Sequence, residues 1–196
     1  MIAIVDYGAG NLCSVQKAFD WLGKENAITS DPEQVSRASK IVLPGVGHFA
    51  STASLGRLGL REAIGDAIQR GTPFLGICVG MQWLFQGSAE SPATEGLGVL
   101  QGQCERFPEH VKSPHVGWNS LQIDSTSRLF RDFESSNFVY FTHSFRCPVG
   151  DATVACCSYG ATFSAAVERE HLFGVQFHPE KSGETGLKVL GNFCAL

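Results

Sequence analysis

Several features are scarce in this chain of 196 residues, and each scarcity excludes something. Lys and Arg never gather into a run long enough to follow a phosphate backbone, and the formal net charge is only −4, so nucleic acid is not an expected partner. No apolar run approaches the length of a membrane span. The segment Met1-Ile2-Ala3-Ile4-Val5-Asp6 lacks a basic region and soon meets an acid, so it reads as a buried strand rather than an export signal. None of the seven cysteines forms a C-x-x-C pair, which removes the usual zinc and redox motifs. Free thiols and a cytoplasmic location are the expectation. Internal repeats, low-complexity tracts and linker-like stretches are missing as well, so residues 1–196 are expected to form one domain. The 43% hydrophobic content supplies enough apolar side chains for its core.

What is present alternates in period. Residues 2–5 read as a strand, followed by Leu12, Val15, Phe19 and Leu22 at helical spacing behind a possible Asn11 cap. A second strand covers residues 40–43. Leu55, Leu58, Ile64, Ala67 and Ile68 mark a helix, and a third strand at 74–77 enters another helix at 81–85. Continuous apolar strands of this kind suit a parallel sheet covered on both faces. Beyond about residue 98 the strands shorten, at 138–141, 153–157, 163–167 and 172–177, with Gly, Ser and Asp between them, which predicts a mixed or antiparallel extension. Residues 182–196 read as a closing helix.

Chemistry concentrates at Phe74-Leu75-Gly76-Ile77-Cys78-Val79-Gly80-Met81-Gln82, where a strand runs into a cysteine with glycine two residues away on each side. This is the pattern of a nucleophile elbow with sulfur in place of oxygen. Glycine is needed because the sharp strand-to-helix turn strains its central residue and would bring neighbouring side chains into collision. Amide N–H groups at the start of the following helix would favour the thiolate. Taken alone, the pattern also suits a small buried hydrophobe. A second segment, Phe173-Gly174-Val175-Gln176-Phe177-His178-Pro179-Glu180, ends a strand on a base and a carboxylate that can orient it. His48, His110, His115, His143 and His171 lack such a built-in partner. A third, Leu43-Pro44-Gly45-Val46-Gly47-His48-Phe49, can present backbone N–H groups to an oxyanion. It lacks the ending of a phosphate loop, and Gly8-Ala9-Gly10 lacks the third glycine of a dinucleotide fingerprint; both also suit plain tight turns.

Together, Gly76-Ile77-Cys78-Val79-Gly80 and His178-Pro179-Glu180 resemble the triad-type, class I glutamine amidotransferases. Val5-Asp6-Tyr7-Gly8-Ala9-Gly10-Asn11, the Pro44-Gly45-Val46-Gly47 loop and His115-Val116-Gly117-Trp118-Asn119 are most similar to the glutaminase subunits of imidazole glycerol phosphate synthases. The glutaminases of pyridoxal phosphate synthase carry a different loop there, resembling Gly-Gly-Glu-Ser-Thr. The resemblance spans essentially the whole chain. Val79 and Trp83 stand where relatives often carry Leu, and Phe145 where tyrosine is common.

The resemblance implies a flavodoxin-like, three-layer α/β fold and a Cys78, His178, Glu180 triad acting through a γ-glutamyl thioester. It places oxyanion donors at Val46, Gly47 and Val79, and glutamine contacts at Gly45, Gln82, Glu90, Ser144 and Phe145. It needs no cofactor and no metal. The implied partner is a (β/α)8-barrel cyclase subunit that uses the ammonia in histidine biosynthesis, met through Tyr7, Asn11, Trp118, Tyr140 and Lys181. A different elbow-cysteine hydrolase would share Cys78 and a histidine but not the combination of Gln82 with His178-Pro179-Glu180. The glutaminase subunit of another amidotransferase is the nearer alternative.

Overall fold

The computed structural model describes residues 1–133 and 137–196. Its first half alternates β1 (Ile2–Val5), α1 (Leu12–Trp21), β2 (Asn26–Thr29), α2 (Pro32–Arg37), β3 (Lys40–Gly45), α3 (Ala53–Arg57), α4 (Leu60–Gln69), β4 (Phe74–Cys78) and α5 (Val79–Gln82). Short strands follow: β5 (Gly87–Ser88), β6 (Gln103–Arg106), β7 (His115–Ser120), β8 (Gln122–Ile123), β9 (Phe138–His143) and β10 (Phe145–Arg146). The chain then returns through β11 (Thr153–Ser158), β12 (Thr162–Arg169) and β13 (Leu172–Val175) to the closing helix α6 (Gly183–Ala195).

Among the described residues the main sheet has the order β2-β1-β3-β4-β13-β12-β11-β8. From β2 to β13 every pairing is parallel, and from β13 outward every pairing is antiparallel. The first five strands therefore follow the flavodoxin-like order, with β13 as the fifth. The last three make the expected antiparallel extension. β1 and β4 are buried along their whole length, as strands covered on both faces must be. Phe19, Phe49, Phe74, Phe173 and Phe193 are among the largest fully buried side chains. Outside the main sheet, β7 and β9 form an antiparallel ribbon and β10-β6-β5 a small sheet.

The structure departs from the sequence expectations at several places. The helix expected across residues 55–68 is broken: α3 ends at Arg57, Leu58 is exposed, and Gly59 adopts φ +69° before α4 begins. A left-handed residue cannot continue a right-handed helix, and glycine accepts that conformation most cheaply. The helix expected at 81–85 is α5, and it ends at Gln82. Leu84 N and Phe85 N donate to carbonyls only three residues back, so the chain tightens and turns off toward β5. Because α5 is a single turn, little macrodipole stands behind Cys78. Asn11 sits at the N-cap of α1 without a side-chain capping bond. Residues 176 and 177 lie beyond β13, since Gln176 N donates to Ala165 and His178 N to Tyr140. Strand β2 escapes a reading of the sequence, because as an only half-buried edge it carries a weak apolar pattern. Helix α2 escapes it too, although Asp31 caps it through Glu33 N and Pro32 opens it.

Candidate active site at the ends of β4 and β13

Cys78 leaves the C-terminal end of β4 at φ 54°, ψ −107°, a conformation that side chains avoid. Such strain costs about 1–3 kcal/mol and persists only where the surroundings enforce it. Here α5 folds back so tightly that a Cβ on Gly76 would lie 2.3 Å from the Gly80 carbonyl oxygen, and one on Gly80 would lie 1.9 Å from that of Leu43. Both flanking glycines are thus sterically required, as the motif suggested.

β13 lies beside β4 in parallel, with Gly174 opposite Gly76 and Val175 opposite Ile77. The two strands end within a residue of each other, and the segment leaving β13 carries His178 close to Cys78. His178 is held from both sides of its peptide plane: its N–H donates to the Tyr140 carbonyl at 2.9 Å, and its own carbonyl accepts from Ser182 Oγ at 2.7 Å. Pro179 opens a short 3-10 turn that carries Glu180 back, and Glu180 Oε1 lies 3.0 Å from His178 Nδ1. Both side chains are 1% exposed. The carboxylate fixes the proton on Nδ1, leaving Nε2, which is buried without a hydrogen-bond partner among the described residues. Burial works against a charged imidazole. The negative charge of Cys78, followed by the hydrogen bond and charge of Glu180, outweighs it and raises His178 to about 10. The geometry suits a thiolate–imidazolium pair.

A cavity of about 230 Å³ opens over the sulfur, lined by Val46, Gly47, Cys78, Val79, Gln82, Glu90, Ser144 and Phe145, with Pro114, Thr142 and His143. Gln82 is buried, and its Nε2 donates to the Phe145 carbonyl at 3.1 Å. Glu90 Oε2 accepts from Phe49 N at 2.7 Å, tying that carboxylate to the end of the Pro44-Gly45-Val46-Gly47 loop, where Gly47 has φ +93°. Gly45 does not line the cavity. It packs beneath, where a Cβ would meet Val79 Cβ at 2.7 Å and the Tyr7 hydroxyl at 2.8 Å.

Tyr7 is buried in the core, not exposed at a surface, and its hydroxyl is held well above the ordinary tyrosine range, first by burial. Asn11 and Tyr140 are half-buried, while Lys181 and Trp118 are exposed. Trp118 stands opposite Tyr140 in the β7–β9 ribbon, their rings 6.1 Å apart edge to face.

Sequence reasoning passes over His143 and its partner. His143 Nδ1 donates to the Phe145 carbonyl at 2.8 Å, so its Nε2 must accept, and His115 Nδ1 donates to it at 3.2 Å. Burial lowers His115 to about 4 and His143 to about 3, which keeps both rings neutral. The only sequence cue is two histidines placed on separate strand patterns, without a motif to join them; register alone pairs them.

The glutamine amidotransferase class-I family model matches residues 3–195 of the chain. The chain belongs to the class-I glutamine amidotransferases. Among curated relatives, the imidazole glycerol phosphate synthase subunit HisH of Moorella thermoacetica is 45% identical over 198 residues, covering 100% of this chain and 94% of that protein. The HisH subunit of Methanothermobacter thermautotrophicus is 47% identical, covering 100% of this chain and 98% of its own length. That of Geobacter metallireducens is 48% identical, covering 98% and 97%. Solved structures share the amidotransferase fold at lower identity. A crystal structure of a glutamine amidotransferase aligns with TM-score 0.78 at 17% identity over 100% of both chains, and PurLQS from Thermotoga maritima with 0.77 at 23% over 99% of this chain and 97% of that one.

Proposed function

We propose that this chain is the glutaminase subunit of an imidazole glycerol phosphate synthase, with Cys78 as its nucleophile. The observation that carries the reading is the strained Cys78 facing a buried His178–Glu180 pair under a cavity suited to one amino-acid side chain. The whole-length likeness to HisH subunits supports the choice of pathway.

In this reading the Cys78 thiolate attacks the side-chain amide carbon of glutamine. Its electron pair forms the C–S bond while the carbonyl pair moves onto oxygen, which backbone N–H groups at Val79 and at Val46 or Gly47 receive. His178 then protonates the departing nitrogen from Nε2, and ammonia leaves. The neutralised ring next takes a proton from water as that water attacks the thioester, giving glutamate and restoring the thiolate. Glu180 holds the ring's orientation throughout. Glu90 is placed to meet the substrate's α-ammonium. Since it also holds Phe49 N, substrate binding and the shape of the oxyanion loop are coupled through one carboxylate.

Ammonia released into neutral water becomes unreactive ammonium, so the site must open onto a partner, here a (β/α)8-barrel cyclase in the cytoplasm. The outer face of the β7–β9 ribbon supports a docking role, because it exposes Val116, Trp118 and Phe138 beside Tyr140. Lys181 is exposed immediately after the triad. The test is a split of activities. Paired with the cyclase, Cys78→Ser is expected to lose glutamine-dependent synthesis and to keep synthesis from added ammonium salt. Retention of both, or loss of both, would overturn the assignment.

A further inference from the structure

A second carboxamide touches the reactive sulfur. Gln176 follows β13 directly, is fully buried, and its Nε2 donates to Cys78 Sγ at 3.6 Å. A carboxamide has nearly the same shape with its oxygen and nitrogen exchanged, yet the two ends are opposite in their effect on a negative sulfur. Its neighbours determine which end faces Cys78. Gln82 Nε2 lies 3.1 Å from the Phe145 carbonyl oxygen and 3.1 Å from Gln176 Oε1. A backbone carbonyl can only accept, so Gln82 must turn its NH2 toward Phe145. The second hydrogen of that NH2 then points at Gln176, which must answer with oxygen, and only nitrogen remains for the sulfur. The Cys147 thiol, 3.9 Å from the same Oε1, can donate and so agrees with this orientation. The backbone is fixed as well, by Gln176 N donating to Ala165 at 2.8 Å.

We propose that Gln176 is a further catalytic residue, whose Nε2–H donates to the Cys78 sulfur, and that Gln82 is the positioning residue that sets its orientation. The proposal rests on the glutaminase reading above. His178, backed by Glu180, is the cation facing the sulfur; Tyr7 and Cys147 also feel its charge, and burial pushes both thiol and phenol toward their neutral forms. Gln176 adds a donor that does not titrate. It stabilises the thiolate before attack. It meets the same charge again when water adds to the thioester carbon, the C–S bond breaks, and the electron pair returns to sulfur. Gln82 thereby links the cavity wall at Phe145 to the nucleophile.

Gln176→Met keeps the length of the side chain and removes the donor. The measurement is the rate of Cys78 alkylation by iodoacetamide against pH, followed on the Cys78 peptide by mass spectrometry. It is accompanied by kcat and KM for glutamine in the complex with the cyclase. The pH of half-maximal alkylation is expected to rise by about one unit, a roughly tenfold slower reaction below it, since hydrogen bonds to charged groups are the stronger class. kcat should fall by about tenfold while KM stays within about twofold. Gln82→Leu leaves Gln176 present but unanchored, and should move the alkylation profile in the same direction by less while raising KM. If near-UV circular dichroism finds Gln176→Met unfolded, the profile of Gln82→Leu decides. An unchanged profile in the folded variant overturns the proposal and leaves Gln176 a packing residue. Glutaminase activity surviving Cys78→Ser would instead overturn the parent reading.

Discussion

Replacing glycine by alanine at two positions should give opposite results, and the contrast tests whether the elbow is enforced by backbone contact. Gly65 lies inside α4, where an added Cβ meets nothing within 4 Å. Alanine there gains helix propensity and restricts the unfolded chain, for about 1 kcal/mol of added stability. Gly80 lies inside α5, so the same propensity gain applies. Its Cβ, however, would sit 1.9 Å from the Leu43 carbonyl oxygen. No rotamer can relieve that contact, because a Cβ has none and the oxygen belongs to a β3 residue paired with Gly76. α5 would have to lift by more than ~1 Å to restore van der Waals separation. Overpacking costs about 1–3 kcal/mol, and an immovable backbone neighbour places this case at the upper end, for a net loss of about 2 kcal/mol. The lift also carries Val79 N–H and Cys78 away from the cavity, and a misplacement of about 1 Å can cost ~100-fold in rate. Urea unfolding of both variants, with glutamate production by the complex, reads the two effects. A Gly80→Ala protein as stable and as active as Gly65→Ala would refute the steric account.

Two further outcomes follow from the charges and the surface. His178 is raised from 6.5 to about 10, so the protonated ring persists through neutral pH and is lost as pH rises through the higher value. Glu180→Gln removes part of what holds that proton, so the alkaline limb of kcat/KM should move to lower pH; a limb that stays in place would show that Glu180 does not tune the ring. Trp118 is 57% exposed in the isolated chain. Trp118→Ala should therefore leave thermal unfolding within about 0.5 kcal/mol of the parent, yet weaken cyclase binding by roughly 30-fold, the scale of an aromatic interface anchor at about 2 kcal/mol. Equal affinity by calorimetry would move the docking surface elsewhere.

The candidate nucleophile, its base and its orienter are all legible in the amino-acid sequence, because each is written into a local pattern. Gly76-Ile77-Cys78-Val79-Gly80 encodes a turn whose sterics are settled largely by neighbours along the chain, and His178-Pro179-Glu180 encodes an imidazole with its carboxylate two residues on. The parallel strands β1, β3 and β4 are readable for the same reason, since buried strands are continuous apolar runs. Less local features are misread. Leu58 keeps a helical spacing that Gly59 interrupts, and Tyr7, assigned to a partner surface, lies buried against Gly45.

The sequence by itself determined the reactive groups and the strained turn that presents one of them, because those depend on neighbours along the chain. Only the tertiary structure decided that β13 lies beside β4, with Val175 opposite Ile77, so that the segment leaving β13 brings His178 close to Cys78. It also placed Gln176 against the sulfur with its nitrogen forward and paired His115 with His143, which lines the cavity. Those relations join residues far apart along the chain, 98 positions for Gln176 and Cys78, and hydrogen-bond direction at a carboxamide or imidazole depends on whichever partner the fold delivers. No local pattern carries that information.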